Sequence, residues 1–242
     1  MIFVRRKRKK LDMSYQGNDA QKKGRKGVIL KKKVARGLFY LSGMLILALG
    51  IILNTKSAFG VTPIISIAYC LSLIHHWNFG NASLVMYAVL AAVEFLIKGR
   101  FFRLYDLLQI PLSVVLTRFF NLFSAILPDE HSLLPRMICL ICGIAFTGIG
   151  AAMNVNARLV SNPGDGIVQA ISDRTGKRMG NVKNVFDLAC VSLTCLIGFF
   201  STRHLVGVGI GIIAAMIGVG RFIWIYNQLF REKQLRATGL LR

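Results

Sequence analysis

Long apolar runs with almost no charged residues alternate with short polar segments along this chain. Because a helix needs about 20 residues to cross a bilayer, runs of this length predict membrane-spanning helices. We predict spans at about residues 34–53, 80–97, 104–127, 133–153 and 205–229, and one that begins near Gly180-Asn181 and continues to about residue 200. The fold class is therefore an all-α polytopic membrane protein.

Two apolar segments between these spans are too short to cross. One runs from Val61 to Ile74, and the other follows Ser161 and ends near Ser172. Segments of this length fit re-entrant or interfacial helices better than spans. Pro63 and Pro163 fit the first turn of each, where a missing N–H costs nothing. The two N-termini then present free N–H groups and the positive end of a helix dipole.

The two halves of the chain align without a gap when one is shifted by 100 residues. The most informative matches are polar residues and prolines in register: Asn54 with Asn154, Pro63 with Pro163, and Gly80-Asn81 with Gly180-Asn181. Such matches predict two homologous membrane repeats, residues 34–128 and 129–230.

The number of crossings per repeat decides how the repeats are related. Three spans and one re-entrant helix each make the second repeat inverted, whereas four spans each make the repeats parallel. With six spans, 26 Lys and Arg lie in cytoplasmic segments and three lie outside. An eight-span alternative is less asymmetric, so the positive-inside rule favours inverted repeats. Both arrangements leave the two termini in the cytoplasm.

The net charge of +21 is concentrated at the N-terminus, where 14 of the 31 Lys and Arg precede residue 37. We predict that residues 1–33 form a disordered basic cytoplasmic tail lying on anionic lipids. Residues 231–242 form a second basic cytoplasmic end. Nothing in the sequence reads bases, so no nucleic-acid partner is predicted. All five cysteines lie in apolar runs, and no disulfide framework is indicated.

The sequence contains no Ser-His-Asp set, metal-ligand cluster or nucleotide motif, so we predict no enzyme, cofactor or metal. Broken helices in matching positions of inverted halves indicate a binding site at the midplane. The candidate substrate-binding residues are Asn54, Pro63, Asn81, Arg118, Asn154, Asn162, Asp165, Asn181, Asp187 and Arg221. The asparagines have an alternative role as helix caps, and Asp165 has one as a partner of the helix dipole.

Arg118 lies near the middle of a predicted span, so it should face the bundle interior and have a partner. Asp187 is the best candidate for that partner. Arg221 aligns with Arg118 when three residues are inserted, although it could instead extend its charge to the membrane surface. Two arginines beside two helix N-termini favour an anionic solute. Glu94 and Asp106 are the other charges in or near spans.

Three short motifs resemble the YczE/YyaS/YitT-type bacterial integral membrane proteins: Gly60-Val61-Thr62-Pro63, Asn162-Pro163-Gly164-Asp165-Gly166 followed by Gly180-Asn181, and Gly207-Val208-Gly209-Ile210-Gly211. The resemblance covers about residues 36–228. It departs at Gly211, where similar proteins are expected to have Thr. The resemblance implies a bacterial plasma-membrane location and supplies no substrate.

These patterns together favour a bacterial inner-membrane transporter of an unknown small solute, and an anionic solute is the hypothesis that the two arginines suggest. The alternative is a non-transporting accessory or scaffold protein that holds partners through its glycine faces and basic tail. The predicted partners are the lipid bilayer and a small-molecule solute, and the sequence leaves a homo-oligomer open.

Overall fold

The computed structural model describes residues 30–102, 104–129, 131–204 and 206–241, and of residues 2–29 only their helical backbone. The described chain is helical and has no strand. Its helices are α1 (Ile2–Ser57), α2 (Pro63–His75), α3 (Phe79–Lys98), α4 (Gln109–Ile126), α5 (Leu133–Ala157), α6 (Pro163–Thr175), α7 (Met179–Thr202) and α8 (Ile210–Ala237). Two 3₁₀ turns, Gly99–Phe101 and Leu104–Leu108, connect α3 to α4.

Six helical segments of the described chain are long and apolar enough to cross a membrane. They are Leu30–Ser57, Phe79–Phe101, Leu104–Ile126, Leu133–Ala157, Met179–Thr202 and Ile210–Ala237. Large apolar side chains such as Leu96, Phe200 and Ile210 are about three-quarters exposed on them, as expected of surfaces that face lipid. The chain is therefore a multi-pass membrane protein. Helices α2 and α6 have 13 residues each, fewer than the roughly 20 that a crossing needs, which favours six spans over eight.

Helices α1 and α5 form an antiparallel pair at the centre. Gly43 of α1 lies against Asn154 of α5, and Gly143 of α5 lies against Asn54 of α1. Glycine at these points lets the two helices approach closely enough for an asparagine side chain to fill the contact. Residues 100 positions apart thus make matching contacts in opposite directions.

Two arginines, 100 positions apart, make equivalent contacts at opposite ends of the α1–α5 pair. The Arg36 Nε donates to the Ala157 carbonyl oxygen at 2.6 Å, and the Arg136 Nε donates to the Ser57 carbonyl oxygen at 2.8 Å. Each guanidinium satisfies one of the last carbonyl groups of the neighbouring helix, where the negative end of the helix dipole favours a cation. Both ends of the α1–α5 pair are therefore closed by the same interaction.

The short helices exchange partners between the halves. Helix α2 packs mainly on α7, and α6 packs mainly on α3. Both begin at proline, as predicted. Their N-termini lie close together, because a Cβ added at Gly164 would lie about 3.0 Å from the Ile64 side chain. The chain therefore turns toward the interior of the helix bundle before each short helix. Each short helix then runs from the interior back toward the surface.

The predicted ends of the chain differ from the structure. Helix α1 runs from Ile2 directly into the first span, whereas disorder was predicted for residues 1–33. Helix α8 continues to Ala237, and Gln234 is buried, with its Nε2 donating to the Met153 carbonyl oxygen at 2.9 Å. Residues 231–237 are therefore packed helix and not a separate basic end, because apolar and amide side chains alternate with the basic ones.

A substitution at the α1–α5 contact tests how tightly this pair is packed. A Cβ at Gly50 would lie 2.7 Å from the Thr147 hydroxyl oxygen and closer still to the Thr147 backbone nitrogen, whereas one at Gly220 meets nothing within 4 Å. We expect Gly50→Ala to lower the stability by about 1–3 kcal/mol through overpacking. Gly220→Ala should leave stability unchanged or slightly raised. Thermal unfolding of both purified variants measures this; equal effects would contradict close packing.

Candidate functional site

A cavity of about 680 Å³ lies between the C-terminal end of α3, the two 3₁₀ turns and α6. Its volume is within the range of small-molecule sites, about 300–1,000 Å³. Helix α6 contributes Gln169, Asp173 and Arg174 to its polar lining. The loop before α6 adds Leu159, Val160 and Ser161.

Glu94 provides the most deeply buried charge in this cavity. Its residue is 2% exposed, and its Oε1 lies 2.6 Å from the Lys98 Nζ one turn later in α3. Lys98 is shared, because its Nζ also lies 3.1 Å from the Asp106 Oδ2 of the second 3₁₀ turn. The other Glu94 oxygen, Oε2, is buried without a hydrogen-bond partner among the described residues. A buried carboxylate oxygen left in this way is energetically costly.

The start of α6 explains how the carboxylate is accommodated. Asn162 is the N-cap, and its side-chain oxygen accepts from the Gly164 N–H at 3.4 Å. Pro163 fixes the first turn, so the next residues follow a helical path immediately. A Cβ at Gly166 would lie 2.5 Å from the Glu94 Oε2, so only glycine lets α6 approach this carboxylate.

The corresponding place in the other half is closed. The residues 100 positions away from Glu94 and Gly166 are Thr194 and Ser66, whose hydroxyl oxygens lie 2.7 Å apart in a hydrogen bond. Both hydroxyls are fully buried. Where α3 has Lys98, α7 has Gly198, and the backbone of Val206 packs about 3.0 Å from its Cβ position.

The glycine-rich segment 207–211 packs beside the Thr194–Ser66 contact and fills the remaining space there. Gly207 approaches Tyr69 and Cys70, and the Gly211 N–H donates to the Phe59 carbonyl oxygen at 2.8 Å. These glycines therefore lie in a close-packed contact, at the turn before α8 and in its first residues. One half of the molecule thus has a charged cavity where the other half has a packed, uncharged contact.

The predicted binding asparagines lie away from this cavity. Asn54 and Asn154 lie within α1 and α5 and pack on Gly143 and Gly43, as described above. The Asn54 Nδ2 donates to the Thr147 hydroxyl at 3.4 Å, while the Oδ1 atoms of both asparagines are buried without a hydrogen-bond partner among the described residues. These two side chains join α1 to α5; neither is a helix cap.

The two arginines behind the anionic expectation are not brought together. Arg118 is exposed on α4, and its Nη1 contacts the Asn81 Oδ1 at 3.4 Å. The expectation that it faces the interior and pairs with Asp187 is wrong, because its neighbour across the α3–α4 contact is the first turn of α3. Arg221 is exposed near the middle of α8, and Asn181 is exposed at the start of α7.

Asp165 and Asp187 form a separate group with Lys183. The Lys183 Nζ lies 3.8 Å from the Asp165 Oδ1 and 3.6 Å from the Asp187 Oδ1. Asp165 is in the first turn of α6, where the helix dipole also favours a negative charge. Of the ten predicted residues, Pro63 and Asn162 shape the short helices, and none lines the cavity.

The residues that do line the cavity were present in the sequence but received too little weight. Glu94 is an acidic residue inside an apolar run, with a lysine four positions later. Ionisable residues inside membrane segments are expensive and mark functional sites by default. That rule identifies Glu94 without a structure. The contribution of Asp106 and of α6 could not be read in the same way, since it depends on how the helices pack.

Comparisons with known proteins agree with the sequence resemblance. The family of unknown function DUF6198 matches residues 34–228. The "Uncharacterized membrane protein YczE" of Bacillus subtilis is 29% identical over 158 residues, which cover 64% of this chain and 71% of the relative. An "Uncharacterized protein" of Haemophilus influenzae is 28% identical over 187 residues, covering 77% of this chain and 80% of the relative. No solved structure matches the chain.

Removing Lys98 should reveal the cost of the buried Glu94 charge. We expect Lys98→Met to lower stability by about 3–5 kcal/mol, because it leaves a buried carboxylate without its partner. The double variant Glu94→Gln/Lys98→Met should recover most of this loss. Lys56→Met is the control: it breaks a pair with the exposed Asp129, worth about 1 kcal/mol or less. Chemical denaturation of the four proteins, wild type included, measures these differences, and no recovery in the double variant would contradict the pairing.

Proposed function

The chain belongs to the family of unknown function DUF6198, and we propose that it is a secondary transporter of the bacterial inner membrane. Its two halves form inverted repeats, and the cavity beside Glu94 is the solute compartment, open toward one side of the membrane. Transport proceeds by movement of one half against the other and involves no enzymatic chemistry. Both termini lie in the cytoplasm.

Reciprocal contacts support the inverted arrangement. Gly43 contacts Asn154 just as Gly143 contacts Asn54, and Arg36 caps α5 just as Arg136 caps α1. In an antiparallel helix pair, such exchange is the property of a two-fold axis perpendicular to the helices. An axis of this kind lying in the membrane plane relates the halves of many secondary transporters. The exchange of α2 and α6 between the halves obeys the same relation.

The observation that carries the proposal is the difference between the two equivalent places. Glu94 and Gly166 border a cavity of about 680 Å³, while Thr194 and Ser66 are joined by a hydrogen bond of 2.7 Å in a closed contact. Inverted repeats that adopt two different conformations make a site open on one side only. Exchange of those conformations opens the other side, which is alternating access.

The positive-inside rule supports a cytoplasmic opening for the cavity. Basic residues lie at the ends of the two helices that line it. Lys98 ends α3 and Arg100 follows it, while Arg174 lies in the last turn of α6 and Lys177 and Arg178 come just after that helix. Cytoplasmic loops are enriched in Lys and Arg. The loop between α4 and α5, with Asp129 and His131, then faces the outside.

Compartment reporters test the inverted arrangement directly. We expect a reporter fused after Gly99 to give a cytoplasmic signal and one fused after His131 to give a periplasmic signal, because one span separates the two loops. A dual reporter active in only one compartment measures this in whole cells. A periplasmic signal after Gly99 would mean parallel repeats and would remove the geometric basis of the proposal.

Thiol labelling tests the alternation. In a chain whose five native cysteines are replaced by alanine, Gln169→Cys lies in the cavity and Tyr69→Cys lies at the equivalent closed place. A membrane-impermeant thiol reagent should label Gln169→Cys from the cytoplasmic side and leave Tyr69→Cys protected. Exposed Lys177→Cys and His131→Cys report the two faces as controls.

Copying the closed pair into the open half should reverse this pattern. Glu94→Thr/Gly166→Ser reproduces the Thr194–Ser66 contact. We expect labelling of Gln169→Cys to fall about tenfold, equivalent to a shift of about 1.4 kcal/mol between states. Labelling of Tyr69→Cys from the opposite face should rise. If Tyr69→Cys stays protected from both faces, the halves do not alternate and the proposal fails.

A further inference from the structure

We propose that the cavity binds a small organic cation with N–H donors, an ammonium or guanidinium group on an apolar body, and that the Glu94 carboxylate receives it. This names the solute class of the proposed transporter and rests on that function for the transport step. Binding itself is a separate property and is measurable without transport.

The acceptor in this site is an unsatisfied atom. The Glu94 Oε1 is paired with the Lys98 Nζ at 2.6 Å, but Oε2 is buried and has no hydrogen-bond partner in the described part of the chain. A carboxylate oxygen with vacant lone pairs in a buried place is stabilised by any donor that reaches it. A charged N–H donor gives the strongest such bond, because both partners are then ionised.

Charge in the lining selects a cation over an anion. The described lining residues carry three carboxylates, Glu94, Asp106 and Asp173, against two basic groups, Lys98 and Arg174. Both basic groups have partners within the protein. Lys98 is held between Glu94 and Asp106, and the Arg174 Nη1 donates to the Ile97 carbonyl oxygen at 3.3 Å. A second carboxylate brought beside Glu94 would meet a like charge in a place with little water to screen it.

The remaining walls fit an apolar body. Ile97, Leu159 and Val160 line the cavity, together with the rings of Phe101 and Tyr105. An aromatic ring face also attracts an organic cation. A bare divalent ion lacks such a fit, since it requires about six oxygen ligands, and the described residues contain no group of three or more His, Cys, Asp or Glu that could hold a metal.

A comparison of residues 100 positions apart in the two halves supports the assignment of a cation site. The other half replaces Glu94 by Thr194, Lys98 by Gly198 and Asp173 by Leu73, and there the space is filled by protein atoms. The ionic residues therefore occur only where the repeat leaves room for a ligand. A purely structural ion pair would need no cavity beside it.

Three molecules of similar size and different charge test the proposal. We would measure the thermal shift of the full chain in detergent with phenethylammonium, with neutral 2-phenylethanol and with anionic 3-phenylpropionate. We expect the amine alone to raise Tm in a saturable way. Glu94→Gln should weaken amine binding about ten- to hundredfold, as expected when a charged hydrogen bond is lost. Asp129→Asn removes an exposed carboxylate outside the cavity and should bind the amine normally.

Every outcome decides the proposal. Equal shifts with the amine and the alcohol, or a larger shift with the carboxylate, would overturn it, as would normal amine binding by Glu94→Gln. If Glu94→Gln does not fold, Gly166→Ala keeps the carboxylate and places a methyl group against its Oε2. We expect that variant to lose amine binding, and unchanged binding would count against the assignment.

The outcomes also separate this proposal from the transport proposal. Amine binding that leaves the labelling of Gln169→Cys and Tyr69→Cys unchanged would support the site and count against alternation. Alternation without amine binding would retain the transporter and overturn only the solute class.

Discussion

The close antiparallel contact between α1 and α5 is the constraint on which the other contacts depend. Gly43, Gly50, Gly143 and Gly150 remove the side chains that would keep the two helices apart. In a bilayer, helix association depends on packing and hydrogen bonds, because lipid is as apolar as leucine. With the contact closed at both ends by Arg36 and Arg136, the loops after α1 and α5 start from fixed points. The short helices therefore reach the centre in register and meet at Ile64 and Gly164.

The two halves share the residues that hold α1 against α5 and start the short helices, and they differ at the residues that line the cavity. The shared residues recur in both halves: glycine and asparagine at the α1–α5 contact, proline at the start of the short helices, and arginine at the helix ends. By contrast, the ionic site has no counterpart 100 positions away in the sequence. Glu94, Lys98 and Gly166 correspond there to Thr194, Gly198 and Ser66. A glutamate cannot take the place of Thr194, since the surrounding contact is dry and holds a hydroxyl pair. The ionic site is therefore possible in one half only.

The sequence was sufficient for the spans and the short helices, because length and apolar runs carry those features. The repeat stays a prediction that rests on rare residues in register. The sequence also placed prolines at the first turn of α2 and α6, since that position tolerates the missing N–H. It was insufficient for the site. Arg118 was expected inside because a mid-span charge is costly, yet an arginine is long enough to stay exposed and contact Asn81. Glu94 has no such reach, so its position inside an apolar run was the better signal.

The composition of the short helices determines which half can hold water. Helix α2 is apolar along most of its length, with Tyr69, Cys70, Leu73 and Ile74 where α6 has Gln169, Ala170, Asp173 and Arg174. Polar side chains at membrane depth are tolerated where they face water or protein, and the α6 residues face the cavity. Under the proposed alternation, opening the α2 side exposes an apolar wall, which costs about 25 cal/mol for each Å² brought into contact with water. The α6-open state is then the resting state, and a cationic ligand that pairs with the buried Glu94 lowers the cost of closing that side.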